Sequence, residues 1–186
     1  YANENLGIRI GGSYNTVTNN TIEDGCVAWG IVLSGGNNVV NNNEIKTNYY
    51  GGIDIDSNSN TITNNSIQNG EEGIHLGGSS NVVSNNTITS ISNYGIYLSQ
   101  ISFSLIDNNT ITNNSQGIYI SGSGFVDIDN NTISDNNGYG VHLEDGNFSV
   151  EIDNNTISGN SNHGIYLYQY NNVDIENNTI SNNENH

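Results

Sequence analysis

At 186 residues the chain has the length of one ordinary domain, yet it holds 22 glycines, no proline and no methionine, and only 33% of it is hydrophobic. Its formal net charge of -17 sets 19 acidic residues against two basic ones, Arg9 and Lys46, which excludes nucleic acid as a partner, because that binding rests on many Lys and Arg contacts to phosphate. A single cysteine, Cys26, excludes an intrachain disulfide, no apolar run approaches the ~20 residues that would insert in a membrane, and cations, glycans or other proteins are left as natural partners.

Low hydrophobicity with so much Asn and Ser would point to disorder, but the chain is periodic. Each repeat opens with a glycine and two aliphatics flanking one variable residue: Gly7-Ile8-Arg9-Ile10, Gly30-Ile31-Val32-Leu33, Gly52-Ile53-Asp54-Ile55, Gly73-Ile74-His75-Leu76, Gly95-Ile96-Tyr97-Leu98, Gly117-Ile118-Tyr119-Ile120, Gly140-Val141-His142-Leu143 and Gly164-Ile165-Tyr166-Leu167. Such alternation is the period of a strand with one buried face. A third aliphatic follows at Val17, Val40, Ile62, Val83, Ile106, Ile128, Ile152 and Ile175. Five residues after it, in every repeat, comes the Ile that ends a second word, Asn-Asn-Thr-Ile or a close variant, beginning at Asn19, Asn42, Asn64, Asn85, Asn108, Asn130, Asn154 and Asn177. These eight copies lie 21 to 24 residues apart.

Four inward positions per repeat, thirty-two in all, are filled only by Ile, Val and Leu. One repeat cannot bury such a face alone, so the repeats must stack. The sequence therefore predicts an all-β, single-stranded, right-handed parallel β-helix of about eight coils over residues 1–186, with three short strands per coil and an Asn ladder at one corner. At the strand spacing the rod is roughly 40 Å long. The first Asn of each pair lies two residues beyond an inward aliphatic and is expected to point inward; the second is expected to take the left-handed bend.

These repeats resemble the PbH1 repeats of the right-handed parallel β-helix superfamily, and most closely the NosD-like repeats of periplasmic and archaeal surface proteins, from Gly7 to Ile180. The resemblance implies the fold and an exported location, extracellular or cell-surface, with the periplasm as the variant. It leaves function open, because the superfamily includes lyases, epimerases, adhesins and surface-layer proteins.

In such a solenoid, equivalent residues of successive coils form surface columns. One column and its neighbour bring together Trp29, His75, Tyr94, Tyr97, Tyr119, Tyr139, His142, His163 and Tyr166, an aromatic and histidine stripe suited to sugar rings or a protein partner. On the strand before the Asn corner, Asp127, Glu151 and Asp174 fall in one column and Asp107, Asp129, Asp153 and Glu176 in the next. Like charges at strand spacing repel, and oxygen-rich clusters suit Ca²⁺, so calcium is the expected cofactor if there is one.

A complete catalytic set is missing by comparison with the enzymes of the superfamily. The lyases need an Arg or Lys base beside an acidic calcium site, whereas Arg9 and Lys46 are far from the carboxylates; the epimerases use an Asp-Pro-His-Asp word, and this chain has no proline. A copper site is poorly supplied, since His75 and His142 lie three coils apart and His163 with His186 makes only two ligands. Among the Asn-x-Ser/Thr words, Asn113 and Asn147 in the variable corners are the expected glycosylation acceptors, those in the Asn-Asn words being assigned to the ladder. Residues 2–6 align with residues 182–186, and no capping segment is visible at either end, which points to end-to-end self-association or to a longer array. The loop Cys26-Val27-Ala28-Trp29 could cover one end. The leading functional reading is a structural or adhesive surface module, with a carbohydrate-binding or polysaccharide-processing β-helix as the alternative and a NosD-like metal-handling protein as the third.

Overall fold

The computed structural model describes residues 7–23, 28–46 and 48–185. The expectations resting on residues 2–6, on Cys26 and Val27 and on His186 lie outside them. Each coil carries three short strands, which stack on their counterparts into three eight-stranded sheets, every pairing parallel and every crossover right-handed. The first sheet holds the Gly words, from Ile8–Ile10 and Trp29–Leu33 through Tyr94–Ser99 and Gln116–Ser121 to Ile165–Tyr168. The second runs from Thr16–Thr18 to Val173–Glu176, and the third from Thr21–Ile22 to Thr179–Ser181. Among the described residues no helix is long and apolar enough to cross a membrane.

The core is the axis of the rod. In the six middle coils all four inward aliphatics are buried, Ile74, Leu76, Val83 and Ile88 being one such layer. Ile91, Ile101, Val126 and Val150 add apolar volume at the corners of later coils, where the strands of the second sheet lengthen to Ser102–Asp107 and Gly124–Asp129. Glycine begins each repeat because the first and third sheets meet there. A Cβ on Gly95 would lie 2.6 Å from Ile111 Cγ2 and 2.7 Å from the carbonyl oxygen of Gly117.

The two asparagines of each pair exchange the roles expected of them. The first Asn takes the left-handed bend, with φ between 52° and 57° in all eight copies, and it is exposed. The second is the ladder residue. A left-handed residue interrupts strand alternation, so Asn108 after Ile106 turns outward and Asn109 falls inward instead. Asn86 donates to Asn109 Oδ1 from both its backbone N–H (2.9 Å) and its Nδ2 (3.0 Å). Asn109 in turn donates from Nδ2 to the carbonyls of Val83 (2.9 Å) and Asp107 (3.1 Å) and repeats both Asn contacts onto Asn131. Every buried polar atom of the amide is thereby satisfied, which is the condition for burying it.

The other two corners carry asparagine columns of their own. Asn38, Asn60 and Asn81 link at the corner between the first and second sheets, and Asn114, Asn136, Asn160 and Asn183 at the corner after the third.

Candidate functional site

The first sheet brings the expected stripe together. Pairing puts Asp54, His75, Tyr97, Tyr119, His142 and Tyr166 in one file, one coil apart, with Trp29, Glu72 and Tyr94 beside it. The rings form an unbroken run. His75 stacks on Tyr97 at 5.0 Å, Tyr97 on Tyr119 at 5.4 Å, Tyr94 on Tyr119 at 4.6 Å and Tyr139 on Tyr166 at 4.8 Å, and His142 and His163 close the upper end. Trp29 lies over Gly51, whose missing side chain lets the indole reach His75 at 6.1 Å.

This stacking changes what the stripe offers. Planes 13° to 18° apart in those Tyr–Tyr stacks mean that the rings spend their faces on each other, leaving edges and polar atoms outward. Parallel in-register strands hold identical side chains one rung apart, which favours this face-to-face packing over an open platform.

Carboxylates and burial set the polar character. Asp54 Oδ1 lies 2.9 Å from His75 Nδ1. Burial pulls the His75 pKa down, but the hydrogen bond and charge of Asp54, with Glu72 and Asp56, leave it above the ordinary value. Burial also raises Glu72. Tyr119 donates to Glu144 at 2.7 Å, and burial together with that carboxylate pushes its phenol up to about 12. His142 is different: both ring nitrogens are buried without a hydrogen-bond partner, and burial lowers its pKa. His163 Nδ1 lies 2.8 Å from Asn162 Oδ1.

The acidic columns are in the expected register, Asp127 beside Glu151 beside Asp174 and Asp107 beside Asp129, Asp153 and Glu176. Their repulsion is relieved by amides. Asn130 donates to Asp107 at 3.0 Å and Asn154 to Asp129 at 3.1 Å, so in these two coils the exposed Asn is tied to a carboxylate of the coil before, whereas Asp153 Oδ1 is buried without a hydrogen-bond partner. Among the described residues no three Asp, Glu, His or Cys side chains converge where they could hold one metal ion. Lys46 pairs with Glu44 at 2.5 Å.

Asn113 and Asn147 are exposed at corners, as expected. The exclusion of the Asn-Asn words as acceptors is corrected by the exchange of roles described above: Asn19, Asn64, Asn85, Asn108, Asn130, Asn154 and Asn177 are all exposed.

A second aromatic file was not singled out from the sequence. Phe103, Phe125 and Phe148 lie at the corner where the chain enters the second sheet, with centroids 4.9 and 5.6 Å apart and exposures of 66%, 44% and 51%. Gly124 leaves room for the Phe148 side chain. Phe103 and Phe125 border an open groove of about 300 Å³ with Asn81, Asp127, Ser149 and Glu151 on its walls. Their backbones are left-handed, φ 58° and 52°, as are those of Tyr14, Asn37, Ser59 and Ser80 at the same bend in earlier coils. The bend suits Asn and strains a bulky aromatic. The signal was a 22- and 23-residue spacing of the only three phenylalanines in the chain.

Comparison with known proteins agrees with this architecture. The sequence matches the family described as right handed beta helix region over residues 6–157 and again over 72–186. No curated protein matches it significantly in sequence. Of solved structures, the A-module of the mannuronan C-5 epimerase AlgE4 from Azotobacter vinelandii superposes with a TM-score of 0.85 at 20% identity, covering 96% of this chain and 55% of that one. A structure of XylC in complex with xylose superposes with a TM-score of 0.68 at 16% identity, covering 88% of this chain and 36% of that one. The chain thus spans about half of the first and about a third of the second. With its repeats, three-sheet rod and sequence match in agreement, the chain belongs to the right-handed beta helix family.

Proposed function

We propose that the chain is a glycan-binding β-solenoid module of an exported or cell-surface protein, and that its glycan seats on the open face of Phe103, whose other face is stacked on Phe125. One observation carries the reading: two phenylalanines stand at strained left-handed positions that Asn37, Ser59 and Ser80 fill in the three coils before them and Tyr14 in the first, and their rings lie outside the core. Strain of this kind costs about 1 to 3 kcal/mol and persists where function requires it. The coil before Phe103 has Ser80 at the bend, so the outer ring face is not covered by another aromatic and offers the platform that the tyrosine stripe does not. Asp127, Glu151 and Ser149 beside it can accept hydrogen bonds from sugar hydroxyls. Their charge disfavours uronate, so the preferred glycan is neutral.

The two solved structures bear sugar-related names, which supports the reading at the level of the fold's common uses. Affinity electrophoresis tests it. Wild type should be retarded by a neutral β-linked glucan and not by polymannuronate, with Phe103→Ala binding about tenfold more weakly, as expected for loss of one aromatic contact. Equal migration of wild type and Phe103→Ala with every glycan would remove the reading.

A further inference from the structure

On the first sheet three polar side chains from three successive coils form a linear chain of hydrogen bonds. Asp54 Oδ1 lies 2.9 Å from His75 Nδ1, and His75 Nε2 lies 3.2 Å from Ser99 Oγ. We propose that Asp54, His75 and Ser99 form a serine acyl-transfer relay that hydrolyses neutral carboxylic esters. The order is the one such chemistry needs: a carboxylate that fixes the imidazole with its proton on Nδ1, and a free Nε2 facing the hydroxyl it must deprotonate. An apo separation of 3.2 Å between base and nucleophile is within the range that tightens on substrate binding.

The surroundings favour this arrangement. The imidazole is held between Trp29, at 6.1 Å, and Tyr97, at 5.0 Å and 16°, so it cannot swing away from the line. Its side chain and that of Asp54 are only 22% and 14% exposed, which strengthens the pair relative to open solvent. Ser99 closes the strand Tyr94–Ser99, and Gln100 follows at φ 54° with its side chain exposed, offering an amide donor to a carbonyl oxygen. One coil below Ser99 the equivalent position is Gly77, where a Cβ would stand 3.1 Å from Asp56 Oδ1, so the missing side chain leaves room for that carboxylate. Its charge disfavours an anionic acyl group.

In the first step Ser99 Oγ bonds to the acyl carbon while its proton passes to His75 Nε2. The ester C–O bond then breaks and the alcohol leaves with that proton. Water repeats the sequence on the acyl-serine, releasing the carboxylic acid and restoring Ser99. Activity requires neutral His75. Asp54, Glu72 and Asp56 hold its pKa above the ordinary value against the opposing effect of burial, so activity is lost as pH falls through that raised value.

Hydrolysis of p-nitrophenyl acetate and labelling by a fluorophosphonate, located by peptide mass, test the proposal. Wild type should carry the label on Ser99. Ser99→Ala and His75→Ala should each reduce turnover at least 100-fold, and Asp54→Asn should reduce it at pH 7, with circular dichroism and thermal melting of Ser99→Ala unchanged. Absence of label on Ser99, or turnover retained in Ser99→Ala, would overturn the proposal; turnover lost only with His75→Ala would do so too, since it would show a surface imidazole acting alone.

Discussion

At Asn109 a single amide satisfies donors and acceptors on two neighbouring coils, and its loss should be felt on both. Asn109→Ala strips the buried Asn86 N–H of its partner and removes one acceptor of Asn86 Nδ2, which keeps the carbonyls of Ile62 and Ser84, and one donor to the Val83 carbonyl. An orphaned buried donor costs about 1 to 3 kcal/mol, and denaturant unfolding should show a loss of that size. His142 makes the opposite kind of statement. Its pKa is lowered by burial, so the unfolded state binds the proton more tightly, and the stabilising effect of the neutral ring is present above the unfolded value of about 6.5 and lost as pH falls below it. Melting temperature followed from pH 8 to pH 5 should therefore fall less steeply in His142→Phe than in wild type; identical slopes would show that His142 does not contribute. Which residue types line the rod was legible because side-chain period is a property of sequence alone. Which Asn of each pair faces inward was not, because one left-handed residue shifts the parity of every position after it.

The corner, as an element, is where fold and function separate. Gly95→Ala would drive a methyl into Ile111 and the Gly117 carbonyl, and a cost of about 1 to 3 kcal/mol is expected from overpacking. At the bend before the second sheet the sign reverses. Phe103→Asn replaces a strained aromatic by the residue type that tolerates a left-handed backbone best and that Asn37 supplies at this bend, so it should stabilise the chain by about 1 kcal/mol while weakening glycan binding. A destabilised Phe103→Asn would mean that the ring belongs to the packing. The tyrosine and histidine file was legible from its column, but not that its rings would face one another. Of the Asp54, His75 and Ser99 alignment, Asp54 beside His75 was legible from the same column of variable residues, whereas Ser99, beyond the Gly word, carried no signal of its own. The phenylalanines were passed over because they lie in the segment of variable length.

At the scale of the whole molecule the rod presents different chemistry on each face. The first sheet carries stacked rings with His75 and Tyr119 tied to carboxylates; the second carries carboxylates alternating with amides and the phenylalanine groove. The phenylalanine groove is the proposed glycan seat. The most direct measurement is a crystal structure of the chain soaked with a neutral β-linked oligosaccharide. A sugar ring should stack on the open face of Phe103, with hydroxyls donating to Asp127 or Glu151. Sugar density confined to the Tyr97 and Tyr119 stripe, or no sugar bound at a concentration that retards the protein in gels, would contradict it.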